Sequence, residues 1–198
     1  MAERWQGHRR PRPGPSGRGP RPWISHRWLL PERKLVQSGA TIMMHHGALS
    51  VAFAGALPRD MSLTIVTNSL LVATALEGHR QASVVFLGGL YDQDKGCSVG
   101  TTALSQLEQF NADMFFVADC AVHTSVGLTA FDVPDAEIKR VMCRRSAARV
   151  VVATAESIAK TATFRFRDLT RSTICSLGAS LMPRPSNRFD AKAQLSTE

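Results

Sequence analysis

The chain has 198 residues, of which 44% are hydrophobic and 20% charged. That is enough for one domain with a buried core plus a short appendage, and it excludes a chain disordered throughout. The net charge of +8 sits at one end, since residues 1–34 hold nine basic and two acidic groups. The high isoelectric point therefore describes a tail, and it does not point to a basic nucleic-acid-binding face on the body.

In chain order, the tail comes first. Pro11, Pro13, Pro15, Pro20 and Pro22 alternate with glycine and arginine, a composition that resists helix and sheet and predicts disorder over residues 1–34. Such an arm either stays solvated or touches nucleic-acid phosphates without sequence preference. Arg9-Arg10 is followed by prolines and not by an apolar segment, so export is not expected. No apolar stretch approaches the roughly 20 residues that cross a bilayer, and a soluble, cytoplasmic protein without membrane contact is expected. A globular body over 35–182 and a flexible tail over 183–198 complete the domain reading.

Within the body, T-I-M-M (41–44), L-T-I-V-T (63–67), S-V-V-F-L-G-G (83–89), M-F-F-V-A-D (114–119) and R-V-V-V-A-T (149–154) are short runs rich in β-branched or aromatic residues. They read as strands buried on both faces. Helical patterns lie between them at Leu49–Leu57, Ser69–Glu77, Thr101–Phe110 and Pro134–Ala147. The alternation predicts an α/β fold, a mainly parallel sheet with helices on both faces, with ligands bound beyond the carboxyl ends of the strands.

The loops after the strands are therefore the candidate sites. After the first, His45-His46-Gly47 raises the question of a metal pair or a catalytic pair. Neighbouring side chains at a strand end point to opposite faces, so no metal is expected here. After the second, Thr67, Asn68 and Ser69 suit either a helix cap or an anion at a helix start. After the third, Gly88 and Gly89 permit a sharp turn, and a loop with Asp92, Asp94 and Lys95 leads to Ser98, Gly100 and Thr101. Asp119 follows the fourth strand and is either a sugar-hydroxyl acceptor or base, or a partner for a backbone amide.

Asp132 then reads as a helix N-cap and Pro134 as a first-turn residue, with Ile138, Val141 and Met142 as the buried stripe. Asp135 and Lys139 stand one turn apart, either as an exposed ion pair or as two charges at the mouth of the cleft. The cysteines Cys97, Cys120, Cys143 and Cys175 form no C-x-x-C pair and read as buried thiols.

An ordered series of segments resembles the C-terminal effector-sensing domain of the DeoR (GlpR-like) family of transcriptional regulators over roughly residues 35–180. The segments are L-P-R-D-M-S-L-T-I-V-T-N-S-L (57–70), V-V-F-L-G-G (84–89), S-V-G-x-x-A (98–103), A-D-M-F-F-V-A-D (112–119), G-L-T (127–129), D-A-E-I-K-R-V-M (135–142) and R-V-V-V-A-T (149–154). The resemblance implies a fold like that of ribose-5-phosphate isomerase and the CoA transferases. It also implies a homo-oligomer that binds a phosphorylated sugar or similar metabolite to control transcription, without a cofactor and without turnover. The effector-binding residues it implies are Gly47, Thr67, Asn68, Ser69, Gly88, Gly89, Gly100, Asp119, Asp135 and Lys139.

Three departures stand out. The family's D-x-G-T-T loop is replaced by His45-His46-Gly47-Ala48-Leu49, which keeps the glycine alone, with His45 in the acidic position. A protonated histidine there would make anion binding pH-dependent. The family's S-K-F segment falls at Ala155–Lys160, where the serine matches and the lysine does not. Residues 1–34 leave no room for the family's helix-turn-helix domain, so any DNA contact is expected to be indirect or through the arginine-rich tail. The alternatives are a sugar-phosphate isomerase or deaminase using Asp119 or Asp135 as base with Lys139 as stabiliser, and a ligand-free oligomerisation domain.

Overall fold

A computed structural model describes residues 36–118 and 120–169, and the backbone of 172–177. Both expected tails, and Asp119, lie outside the described residues. The elements run β1 (Thr41–Met44), α1 (Ala48–Ala56), β2 (Leu63–Thr67), α2 (Leu70–Ala75), β3 (Ala82–Phe86), β4 (Leu90–Asp92), β5 (Cys97–Val99) and α3 (Thr101–Leu107). They continue with β6 (Ala112–Val117), β7 (Ala121–His123), β8 (Gly127–Ala130), α4 (Val133–Arg144), β9 (Ser146–Thr154), β10 (Phe164–Arg167) and β11 (Ser172–Leu177).

The six-stranded sheet has the order β11-β9-β6-β1-β2-β3, and every neighbouring pair is parallel. Its two faces are sorted by the two-residue period of the strands. Ile42, Met44, Ile65, Phe116, Val150 and Val152 point to one side, where they pack with Leu49 and Phe53 of α1 and Val72 of α2. Met43, Val66, Phe115, Val117 and Val151 point to the other, against Ala103 and Leu107 of α3 and Ile138 and Met142 of α4. The expected parallel sheet with helices on both faces is thus the architecture observed.

The boundaries differ in informative places. The β3 strand stops at Phe86, so Leu87-Gly88-Gly89 is already loop. The last helix ends at Arg144, and Ser146 and Ala147, expected as helix, begin β9. Two antiparallel additions were not foreseen: the hairpin β4-β5 and the small sheet β10-β8-β7. Both grow from the carboxyl-end loops. The small sheet is tied to the loop after β9 by Val122 N–H donating to Ser157 O at 2.9 Å and by Ala162 N–H donating to Thr129 Oγ1 at 2.7 Å.

Candidate functional site

Counting only the parallel strands, the sheet order is 3-2-1-4-5-6, so the winding reverses between β1 and β6. Beyond the carboxyl ends of that pair lies the switch point at which open α/β sheets form a ligand crevice between loops that leave in opposite directions. The chain places His45-His46-Gly47 there, after β1, and brings the first turns of α4 over it.

The start of α4 is fixed by its cap. Asp132 has extended backbone angles, and its Oδ1 accepts from the Asp135 N–H at 3.0 Å, satisfying an amide that the helix leaves open. Asp132 Oδ2 meets Lys95 Nζ at 2.7 Å, and Lys95 also lies 3.5 Å from Asp92 Oδ2. Burial opposes the charge on Lys95, but its hydrogen bond to Asp132 and the fields of Asp132 and Asp92 outweigh this and raise its pKa. The hairpin β4-β5 is thereby fastened to the head of α4. Lys95 was legible only as part of a polar loop, because its partner lies 37 positions away.

Asp135, in the first turn of α4, is buried, and Lys139 one turn later is 1% exposed. Lys139 Nζ donates to Asp135 Oδ2 at 3.1 Å and lies 5.6 Å from the centroid of the Phe166 ring. The exposed reading of this pair is overturned, since α4 turns it inward on the helix side that also carries Ile138 and Met142. Burial disfavours the Asp135 carboxylate, but Lys139 first, then His45 and His46, hold its pKa well below the usual range. The helix amino end adds to the same effect.

The two histidines complete the cluster. His45 Nε2 is 3.1 Å and His46 Nε2 is 3.6 Å from Asp135 Oδ1, and their rings lie 4.0 Å apart. The expectation that they point to opposite faces is wrong, because β1 ends at Met44 and both residues sit in the bend that follows. Gly47 makes that bend with φ 136° and ψ 159°, a region that only glycine occupies without strain. Burial pushes the His45 imidazole well below its ordinary pKa, and His46 adds to the drop against the opposing pull of Asp135. A charged His45 drawing in an anion at neutral pH does not fit this environment.

The remaining expected residues fall nearby with more local tasks. Ser69 is the N-cap of α2 and accepts from Val72 N–H at 3.3 Å, while Thr67 Oγ1 accepts from Ser69 N–H at 3.0 Å. Asn68 is buried and donates its side-chain amide to Ser98 O at 2.9 Å, bracing β5. Gly88 N–H donates to Gln106 Oε1 at 2.9 Å. Gly89 has φ 140°, and a Cβ there would stand 2.8 Å from Val99 O at the end of β5 and 3.3 Å from Ala103 N of α3, so the main chain lies too close for any side chain. Gly47 and Gly100 precede α1 and α3, and neither helix has a side-chain cap at its amino end. Asp119 lies outside the described residues.

Comparison with known proteins shows the family and the fold. Residues 33–175 match the family model for the DeoR C-terminal sensor domain. The chain is similar to the HTH-type transcriptional regulator GolR of Listeria innocua, 27% identical over 57% of this chain and 44% of that protein. It is also similar to the glycerol-3-phosphate regulon repressor of Haemophilus influenzae, 27% identical over 69% of this chain and 53% of that one. The chain spans about half the length of these curated relatives. Among solved structures, eIF2B delta from Chaetomium thermophilum superposes with a TM-score of 0.50 at 13% identity, covering 68% of this chain and 48% of that one, a likeness of fold alone. Ribose 5-phosphate isomerase A from Methanocaldococcus jannaschii gives a TM-score of 0.48 at 12% identity, covering 67% and 52%. Because the family model covers well over half of its residues, the chain belongs to the DeoR family and carries its C-terminal sensor domain.

Proposed function

We propose that this domain senses a phosphorylated sugar or a related anionic metabolite and passes that signal to transcription, transcriptional regulation being what the names of its relatives state. The observation that supports this most is the buried Asp135–Lys139 pair in the crevice beside the amino end of α1, which no side chain caps. Helix amides aimed at a crevice suit a phosphate, and a carboxylate beside an ammonium suits the hydroxyl groups of a polyol. The repressor from Haemophilus influenzae, whose name refers to glycerol 3-phosphate, motivates starting with small phosphorylated polyols.

Thermal-shift titration of the whole chain with phosphorylated sugars, each paired with its unphosphorylated form, tests the reading. Stabilisation restricted to phosphorylated compounds and weakened by Lys139→Gln is the expected result. No shift with any phosphorylated compound in the panel rejects sensing.

An isomerase-like reading with Asp135 as base is less favoured by the electrostatics. A carboxylate held well below the usual range, with one oxygen already on Lys139, is a poor proton acceptor near neutral pH. Self-association fits the edge of the sheet: β3 pairs only with β2 among the described residues, and Val84, Phe86, Leu90 and Tyr91 are exposed along it. Leu71 and the Tyr91 hydroxyl both lie beside Gly96, and Leu70 and Leu71 of α2 are exposed as well. We read this face as the contact between copies of the chain.

A further inference from the structure

His45, His46 and Asp135 each offer one ligand-type atom, and those atoms all lie within 4.8 Å of one another. What makes this more than a polar cluster is that none of the three is satisfied. His45 Nε2, His46 Nε2 and Asp135 Oδ1 are buried and have no hydrogen-bond partner among the described residues, although His45 Nε2 and Oδ1 are only 3.1 Å apart. Buried polar atoms without partners are costly, and three this close together call for an explanation.

The hydrogen bonds behind these atoms supply it. His45 Nδ1 faces the His46 carbonyl oxygen at 3.2 Å. A carbonyl only accepts, so Nδ1 carries the hydrogen and the neutral ring presents a lone pair at Nε2. That lone pair looks at a carboxylate oxygen, which is also rich in electrons. Asp135 is itself held from behind, with Oδ2 on Lys139 and its backbone N–H on the Asp132 cap, so Oδ1 cannot turn away without breaking one of them. An imidazole backed by a carbonyl and a carboxylate backed by a donor are the supports that metal ligands have.

We propose that His45 Nε2, His46 Nε2 and Asp135 Oδ1 form a three-ligand site for a divalent transition-metal ion of the zinc type. The spacing fits. Ligands at about 2.0–2.1 Å from a tetrahedral zinc ion stand about 3.3 Å apart, on the assumption of regular geometry. The two measured separations from Asp135 Oδ1, 3.1 Å and 3.6 Å, bracket that value. Two imidazoles and one carboxylate select zinc, iron, nickel or copper over magnesium or calcium, which prefer oxygen alone. Three protein ligands leave a fourth position for an exogenous group. Of the three side chains, that of His46 is the most accessible at 14%, which gives the ion a way in. Lys139 lowers the affinity by its charge, and it also balances the carboxylate, so a bound divalent ion leaves a positive excess for an anion in the fourth position.

The site stands independently of the effector reading, since zinc binding is measured without any metabolite. Untagged whole chain is stripped with a chelator and titrated with Zn2+ alone by calorimetry, and separately with Co2+ by visible absorption. We expect one ion per chain, tetrahedral cobalt bands, and a loss of affinity of more than about tenfold in His46→Asn. The control His8→Asn/His26→Asn/His123→Asn, which leaves the cluster intact, is expected to bind as the unaltered chain does. No stoichiometric binding, unchanged binding in His46→Asn, or loss in the control overturns the proposal. Should His46→Asn fail to fold, the Co2+ form of the unaltered chain decides: two strongly shifted imidazole N–H resonances support the site, and one or none overturns it.

Discussion

Lys139 Nζ and Asp135 Oδ2, 3.1 Å apart on one side of α4, form an ion pair in which the lysine is 1% exposed and the carboxylate is held in its charged form. Removing one partner strands the other charge away from water. Lys139→Met is expected to lower stability by about 3–5 kcal/mol in urea unfolding, and the double variant Asp135→Leu/Lys139→Met by much less. A single-variant loss no greater than that of the double variant would mean that water relieves the stranded charge.

Gly89 sits at φ 140° with Val99 O 2.8 Å from where a Cβ would be. Gly89→Ala therefore combines backbone strain with a clash against main chain that cannot swing aside. A destabilisation of about 1–3 kcal/mol is expected from the strain alone. The midpoint of thermal unfolding measures it, and an unchanged midpoint would show that the loop relaxes freely.

The thiols give a pH dependence. Burial, with Asp92 next, pushes Cys97 up to about 12, and burial pushes Cys143 up to about 11 despite Arg149. Both folded values lie above the ordinary thiol value, so the protonated form is the one that folding favours. Their contribution is complete below about pH 8.5, where unfolded thiols keep their protons, and it is lost as pH rises towards 11 and 12. Stability should therefore decline above pH 9. In the native chain at pH 8, peptide mapping after alkylation should find Cys97 and Cys143 unlabelled while the unfolded chain labels at both. Rapid native labelling of either thiol would contradict its burial.

If a metal ion occupies the His45–His46–Asp135 cluster with an anion in its fourth position, zinc and phosphate must bind cooperatively. The coupling is reciprocal, so phosphate tightens zinc by the same factor that zinc tightens phosphate. Calorimetric titration of Zn2+ with and without a saturating, soluble level of a phosphate monoester measures this factor. Equal affinities in the two titrations would place the anion elsewhere.

The β3 edge offers a separate test. Val84→Lys/Phe86→Glu alters two partly exposed side chains on the edge strand. Light scattering should report a lower mass for this variant at an unfolding midpoint close to the unaltered chain's. An oligomer of undiminished mass would move the contact to another face.

Much of this architecture was legible in the residues. The strands β1, β2, β6 and β9 announced themselves because a strand covered on both faces must be apolar along its length; β3 was found by the same pattern, but it is an edge strand with Val84 and Phe86 exposed, so the expectation that it is buried on both faces was wrong. The strands β7, β8 and β10 gave no such signal: they are three or four residues long, and while β7 and β8 pair locally, β10 reaches β8 from far along the chain. In the site, the spacing of Asp135 and Lys139 was readable, but their burial was not, because that depends on which side of α4 meets the sheet. For His45 and His46 the error came from extending β1 by two residues. A strand would have separated the rings, and the bend before Gly47 brings them together. Thr67 and Ser69 kept the commonplace role of shaping a helix start, which a single sequence could not distinguish from a ligand contact.

Asp132 belongs to two structures at once. One of its oxygens holds the first turn of α4, and the other holds Lys95 of a hairpin that grows from the opposite half of the sheet. The hairpin is therefore latched shut by the same side chain that keeps the helix wound. Anything that competes for Lys95, a negatively charged visitor above all, draws on the clasp and on the helix together, so entry to the crevice and the position of Asp135 would be set by a single ionic knot.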